Sequence, residues 1–191
     1  MKKAILLYSL LLFIPTVCFS QVVRQGEKFT EVPVVNGKIL FLKEIPAKKD
    51  VSMSANYKTL KSWAVDRYGK DPFNSSIRYE GKNSEFIAKS RIELLLPHNE
   101  KGIREKMTMR YRINGFIFYD KCVFEVTDIS YMYENSSKDK SLPKIIKGED
   151  FITDEAINMN SEHTEIKTNT RKSTLFFLDE LSKSFEEKFG Y

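Results

Sequence analysis

The spacing of apolar residues changes along the chain, and each spacing predicts an element. In VPVVNGKILFLKEI, Val32 to Ile45, Asn36-Gly37 separates two apolar runs as a turn does, and Ile39 to Leu42 reads as a short, largely buried strand. Met53, Tyr57, Leu60 and Ala64 then recur at helical spacing beside Trp63. Ser52 or Ser54 can cap that helix, and Gly69 to Pro72 close it. The stretch SSIRYEGKNSEFIAKSRIELLL predicts two strands about Gly81-Lys82-Asn83, with Phe86, Ala88, Ile92 and Leu94 on one face and Lys89, Arg91 and Glu93 on the other. From Lys106 the alternation continues: Met107, Met109, Tyr111 and Ile113 share a face opposite Thr108, Arg110 and Arg112. Two reversals compete here, Asn114-Gly115 and Tyr119-Asp120-Lys121. Beyond the second, Cys122, Phe124 and Val126 fall on one face.

After Tyr133 the pattern fades. ENSSKDKSLPKIIKGED is polar, and no period emerges before Thr168, so residues 134–169 read as a polar loop. Over residues 170–189 Leu175, Leu178, Leu181, Phe185 and Phe189 restore a helical stripe. No internal repeat and no low-complexity tract appears.

The first twenty residues, MKKAILLYSLLLFIPTVCFS, place two lysines before an apolar run too short for a comfortable membrane span, then small residues. That is the layout of a secretory signal peptide, with cleavage expected after Ser20 and a periplasmic or secreted product. The alternative, a lipoprotein anchored through Cys18, is the weaker reading because Pro15, Thr16 and Val17 lack the small residue such processing needs. Cleavage removes Lys2 and Lys3 and lowers the formal charge from +5 to +3. So mild a charge does not argue for nucleic acid. Residues 21–191 suit one domain, with Cys122 left without a disulfide partner.

VVNGKILF, LKSWAVDRY, IAKSRIEL and YDKCVFEVTDISYMY resemble the exported bacterial family known as domain of unknown function 4468, described as having a TATA-binding-protein-like fold. The resemblance runs over residues 32–133. That family usually carries a Lys-Asp-Gly-Lys-Tyr-Arg run where this chain has Cys122 and Val123 in the places of the aromatic and the arginine. The resemblance implies a fold, a hairpin near Asp120, and Asn114-Gly115 as a bulge or kink inside a long strand. It brings no activity, so no catalytic residue carries over. The expected architecture is α+β: a curved antiparallel sheet of about five strands, with one helix after the first strand and one at the C-terminus, both on one face.

Candidate chemistry is sparse. His98, in LPHNEKG, and His163 have no ligand partners at metal spacing, so neither a metal nor a cofactor is expected. Cys122 falls in register with core residues, which argues against a Cys122–His98 nucleophile pair. Asp150, Asp154 and Glu155 do not follow a calcium-loop order. One pattern has functional content: the face opposite the core carries Arg78, Lys89, Arg91, Arg110 and Arg112, with Glu80, Glu93 and Glu125 interspersed. Arginines on neighbouring strands suit a carboxylate or phosphate. The sequence therefore favours a non-catalytic binding module of the cell envelope, for a protein or a small anionic ligand, with self-association through a strand edge open to it. A hydrolase-like enzyme with its site near the segment from Glu134 is the alternative. Mass spectrometry of the protein from its source should show Gln21 at the N-terminus, and a lipidated Cys18 would contradict the export reading.

Overall fold

A computed structural model describes residues 22–48, 50–133, 145–159 and 163–189. The N-terminal part contributes β1 (Val22–Arg24), β2 (Val34–Val35), β3 (Lys38–Ile39) and β4 (Phe41–Pro46). Asn36 and Gly37, with φ of 51° and 73°, join β2 to β3 in the two-residue turn that their sequence demands. Helix α1 (Met53–Tyr68) follows; the Ser52 side chain accepts a hydrogen bond from the Ala55 amide at 3.2 Å and caps it. Asn56, Leu60, Trp63, Ala64 and Tyr68 form its buried stripe, whereas Met53, expected inward, is exposed.

Strands β5 (Ser75–Glu80), β6 (Glu85–His98), β7 (Arg104–Ile117) and β8 (Lys121–Met132) are the alternating stretches, and β9 (Ile146–Lys147) is a short addition. The sheet order is β1-β4-β8-β7-β6-β5, with β9 beside Ser130 and Tyr131 of β8. All neighbours are antiparallel except β1 and β4. Seven strands replace the expected five because β1 and β9, of 3 and 2 residues, are too short to show a period.

Both helices cover one face, as expected. Helix α2 (Asp154–Asn158) is brief, and α3 (Thr164–Lys188) crosses the sheet. The Trp63 ring of α1 lies 6.0 Å from Phe86 of β6 and 5.1 Å from Phe185 of α3, and Phe185 lies 5.2 Å from Phe124 of β8, centroid to centroid. These tilted and edge-on contacts suit the ring quadrupoles. The N-terminal segment is tied in by charge. Lys43, on the inward side of β4 and 1% exposed, pairs with Glu186 of α3 at 2.6 Å and donates to the Glu27 carbonyl at 2.7 Å. The Gly26 amide donates to the same Glu186 carboxylate at 3.0 Å.

The polar segment is more structured than its composition predicts. Residues 134–144 and 160–162 lie outside the described set, but residues 145–159 hold β9, a turn that buries Phe151 and Ile152, and α2. Thr153 caps α2, and Asp154 and Glu155 sit in its first turn, where the helix dipole favours negative charge. Helix α3 begins at Thr164 rather than at residue 170. Its inward face there is made by Thr170 and Thr174, both fully buried, and Thr174 shares a hydrogen bond with the Tyr131 hydroxyl at 2.8 Å. A search for apolar periodicity passes over such threonines.

Asn114-Gly115 is neither turn nor bulge. Pairing runs without a break through Asn114↔Glu125 and Gly115↔Phe124, and β7 reverses only after Ile117. The bulge lies instead on β8, where register moves from Arg112↔Thr127 to Arg110↔Ser130 and Asp128 adopts a φ of 51°. Gly115 has a packing reason: a Cβ there would stand 2.2 Å from Cε1 of Phe86, its partner on β6. Gly115→Ala should therefore lower stability by about 1–3 kcal/mol in denaturant unfolding, and adding Phe86→Leu should recover part of that loss. A single variant as stable as the parent would overturn this packing account.

Candidate functional site

The helices close one face of the sheet, so side chains alternating with the core emerge on the other. Ser90 of β6 faces inward opposite Tyr111 of β7. Their neighbours are then fixed: Lys89 stands directly opposite Arg112, and Arg91 directly opposite Arg110. Like charges in such positions destabilise a sheet by up to about 1 kcal/mol. Two adjacent pairs of this kind form a square of positive charge on the open face.

A turn before β5 walls one side of the square. Asp71 shapes it by accepting the Phe73 and Asn74 amides, each at 3.2 Å, and Asn74 in turn receives the Arg91 Nε–H at 2.5 Å. Donation from Asn74 is the main reason that the exposed Asp71 carboxyl is held below its ordinary value; Arg91 contributes less. Phe73 has no such fastening for its ring, which stays 87% exposed at the lip. Between turn and sheet lies an open cavity of about 450 Å³, lined by all four cations, Phe73, Asn74 and Asp128.

Of the five cations singled out in the sequence, the fold brings these four together and leaves Arg78 outside. Arg78 sits opposite Ile87 and pairs with Glu80 at 2.7 Å. Among the described residues, none of Lys89, Arg91, Arg110 and Arg112 is in an ion pair. Their hydrogen-bond partners are neutral: Asn74 for Arg91, and Asn114, at 3.0 Å, for Arg112. Glu93 is engaged by Lys106 at 2.8 Å, and Glu125 accepts a hydrogen bond from Asn114.

A second cavity, of about 680 Å³, adjoins the first and shares Asn74, Ser75, Ser90, Arg91 and Tyr111 with it. At its inner end the Tyr111 hydroxyl approaches that of Tyr68 at 3.5 Å. Burial pushes both phenols above their ordinary values, which keeps them neutral hydrogen-bonding groups.

The residues considered for catalysis are held apart. His98, expected in a turn, ends β6 opposite Arg104, and the turn itself falls at Asn99–Ile103. Cys122 pairs with Ile117 at the far end of β7, so the two groups are separated by the length of that strand, about 40 Å at 3.3–3.4 Å per residue. Cys122 is fully buried, and burial pushes its thiol up to about 12, so it serves as wall material within the core. Among the described residues no three His, Cys, Asp or Glu side chains are grouped to hold a metal ion, and no helix is long and apolar enough to cross a membrane.

Two solved structures share this architecture. One is a TBP-like protein from Parabacteroides distasonis, 23% identical, with a TM-score of 0.69 over 83% of this chain and 97% of that one. The chain has the TBP-like fold. The other, a DUF4468 family protein from Bacteroides ovatus, is 19% identical, with a TM-score of 0.68 over 86% of this chain and 93% of that one. No family model and no curated protein sequence matches the chain. Within the TBP-like fold, the cavity parts that sequence reasoning missed are Phe73, Asn74 and Asp128. The one signal for the first two was an aromatic residue inside a polar DPFN turn, immediately before the cation-bearing strands.

Proposed function

We propose that this protein is a non-catalytic binding protein, exported to the cell envelope, that takes an anionic ligand on the open face of its sheet. The observation that carries the reading is the pair of like-charged rows, Lys89 with Arg112 and Arg91 with Arg110, facing one cavity with no carboxylate in an ion pair with them among the described residues. An anion seated on a row would turn that repulsion into charge-assisted hydrogen bonds, bidentate where a guanidinium meets a phosphate or carboxylate. Export rests on the charged and apolar N-terminus alone. A nucleic-acid strand suits the site less well, because the unpaired positive charge is confined to two rows and the mature chain carries only +3.

Thermal unfolding tests the reading through both of its consequences. Inorganic phosphate should raise the midpoint beyond chloride of equal ionic strength, as binding to the folded state alone requires; saturation at a hundred times Kd contributes about 2.7 kcal/mol. Arg110→Thr removes one member of a repelling pair, so in chloride the variant should melt about 1–4 °C above the parent while its response to phosphate is reduced, the row of Lys89 and Arg112 being left intact. Equal effects of phosphate and chloride on the parent, or a full phosphate response in the variant, would overturn the proposal.

A further inference from the structure

The geometry points to a ligand with two anionic groups joined by a neutral centre, one group seated on each cation row. This inference rests on the anion-site reading above and adds its dimensions.

The rows are separated by two residues along each strand, Lys89 to Arg91 on β6 and Arg110 to Arg112 on β7. At 3.3–3.4 Å per residue that is about 7 Å. Each row is an independent pair of donors drawn from neighbouring strands, and each suffices for one phosphate, sulfate or carboxylate. The positive strip then stops at both ends. Past Arg91 and Arg110, the next outward row is Glu93 opposite Thr108, with Glu93 already held by Lys106. Past Lys89 and Arg112, the next is Ile87 opposite Asn114, and Asn114 is engaged with Glu125. A polymer with regularly repeated charge would meet a carboxylate in either direction, whereas a short molecule with two charges fills the strip.

The centre of the site has its own chemistry. The bulge on β8 sets Asp128 between Thr127, partner of Arg112, and Ser130, partner of Arg110. Asp128 lines the same cavity. An acidic residue at that level of the adjoining strand disfavours charge on the middle of the ligand and can accept a hydrogen bond from a hydroxyl there. Phe73, at the lip, offers a bare ring to a carbon skeleton. Anionic ends with an uncharged hydroxylated or aliphatic middle is the composition that satisfies both constraints.

Calorimetric titration of the whole protein with three probes tests this: methylphosphonate, with one group; methane bisphosphonate, with two groups on one carbon; and butane bisphosphonate, with two groups on a four-carbon chain that spans the rows. The four-carbon probe should bind at least about tenfold more tightly than methylphosphonate, because its second group docks intramolecularly. Methane bisphosphonate, too short to span, should gain little over methylphosphonate. The double variant Arg91→Gln, Arg110→Gln should retain methylphosphonate binding on the remaining row and lose the four-carbon advantage. If methylphosphonate binds and the four-carbon probe binds no better, or if methane bisphosphonate equals the four-carbon probe, the two-row inference fails while the anion site stands. If none of the three binds, the anion-site reading itself is overturned.

Discussion

The seating of Phe86 over Gly115 is the constraint on which the rest of the structure depends. The Phe86 ring occupies the space in which any side chain on Gly115 would stand, and Trp63 from α1 and Phe185 from α3 close over that region of the sheet. That packing fixes which face the helices cover. It also fixes register, since a one-residue slip of β6 against β7 would send Phe86, Ala88 and Ser90 to solvent and drive Lys89 and Arg91 into the core. The juxtaposition of Lys89 with Arg112 and of Arg91 with Arg110 therefore follows from aromatic packing on the opposite side of the same strands. Core burial is worth roughly 1.5–3 kcal/mol for each large apolar side chain, which outweighs the repulsion of up to about 1 kcal/mol in each cation pair. The fold can hold an unfavourable charge pattern on one face because the other face decides the register.

The β1–β4 end of the sheet is secured by a different interaction. Lys43 occupies an inward position on β4 opposite Phe124, where an apolar side chain would be ordinary. Glu186 neutralises it, and the C-terminal end of α3 adds the negative end of a helix dipole. Losing one partner of such a buried pair costs about 3–5 kcal/mol, since the other is left as an uncompensated charge. The same carboxylate accepts the Gly26 amide, and Asp179 accepts the Phe29 amide at 2.8 Å. The last turns of α3 thus hold the N-terminal segment, which lies 150 or more residues away in sequence.

Much of this could be read from the chain itself, and the reasons for the rest are physical. Period-two alternation on β6, β7 and β8 revealed the two faces, the helical spacing of Leu60 and Trp63 located α1, and Asn36-Gly37 marked its hairpin. The four cations that meet at the cavity were legible because each alternates with a core residue. Arg78 belonged to the same pattern, and only the proximity of Glu80 set it apart. Strands β1 and β9 left no trace because their hydrogen bonds come from distant partners. Thr170, Thr174 and Lys43 are inward residues of polar type; Thr174 and Lys43 are satisfied by particular partners, Tyr131 and Glu186, that no periodicity discloses, and the Thr170 hydroxyl is buried without a partner among the described residues. Asn114-Gly115 misled for a related reason: locally it is a strong reversal signal, yet the glycine is required by a ring on another strand. The wall of the cavity was invisible for want of any pattern, since Phe73 and Asn74 belong to a turn and Asp128 to a bulge.

Backbone amide chemical shifts during titration with inorganic phosphate test the central claim most directly, because they report which face of the sheet receives the anion. The account predicts that the shifts concentrate at residues 89–91 and 110–112 and in the turn at residues 72–74, with the stripe of α3 that covers the core unmoved. Largest shifts along α3, or changes spread evenly over the surface lysines, would contradict it.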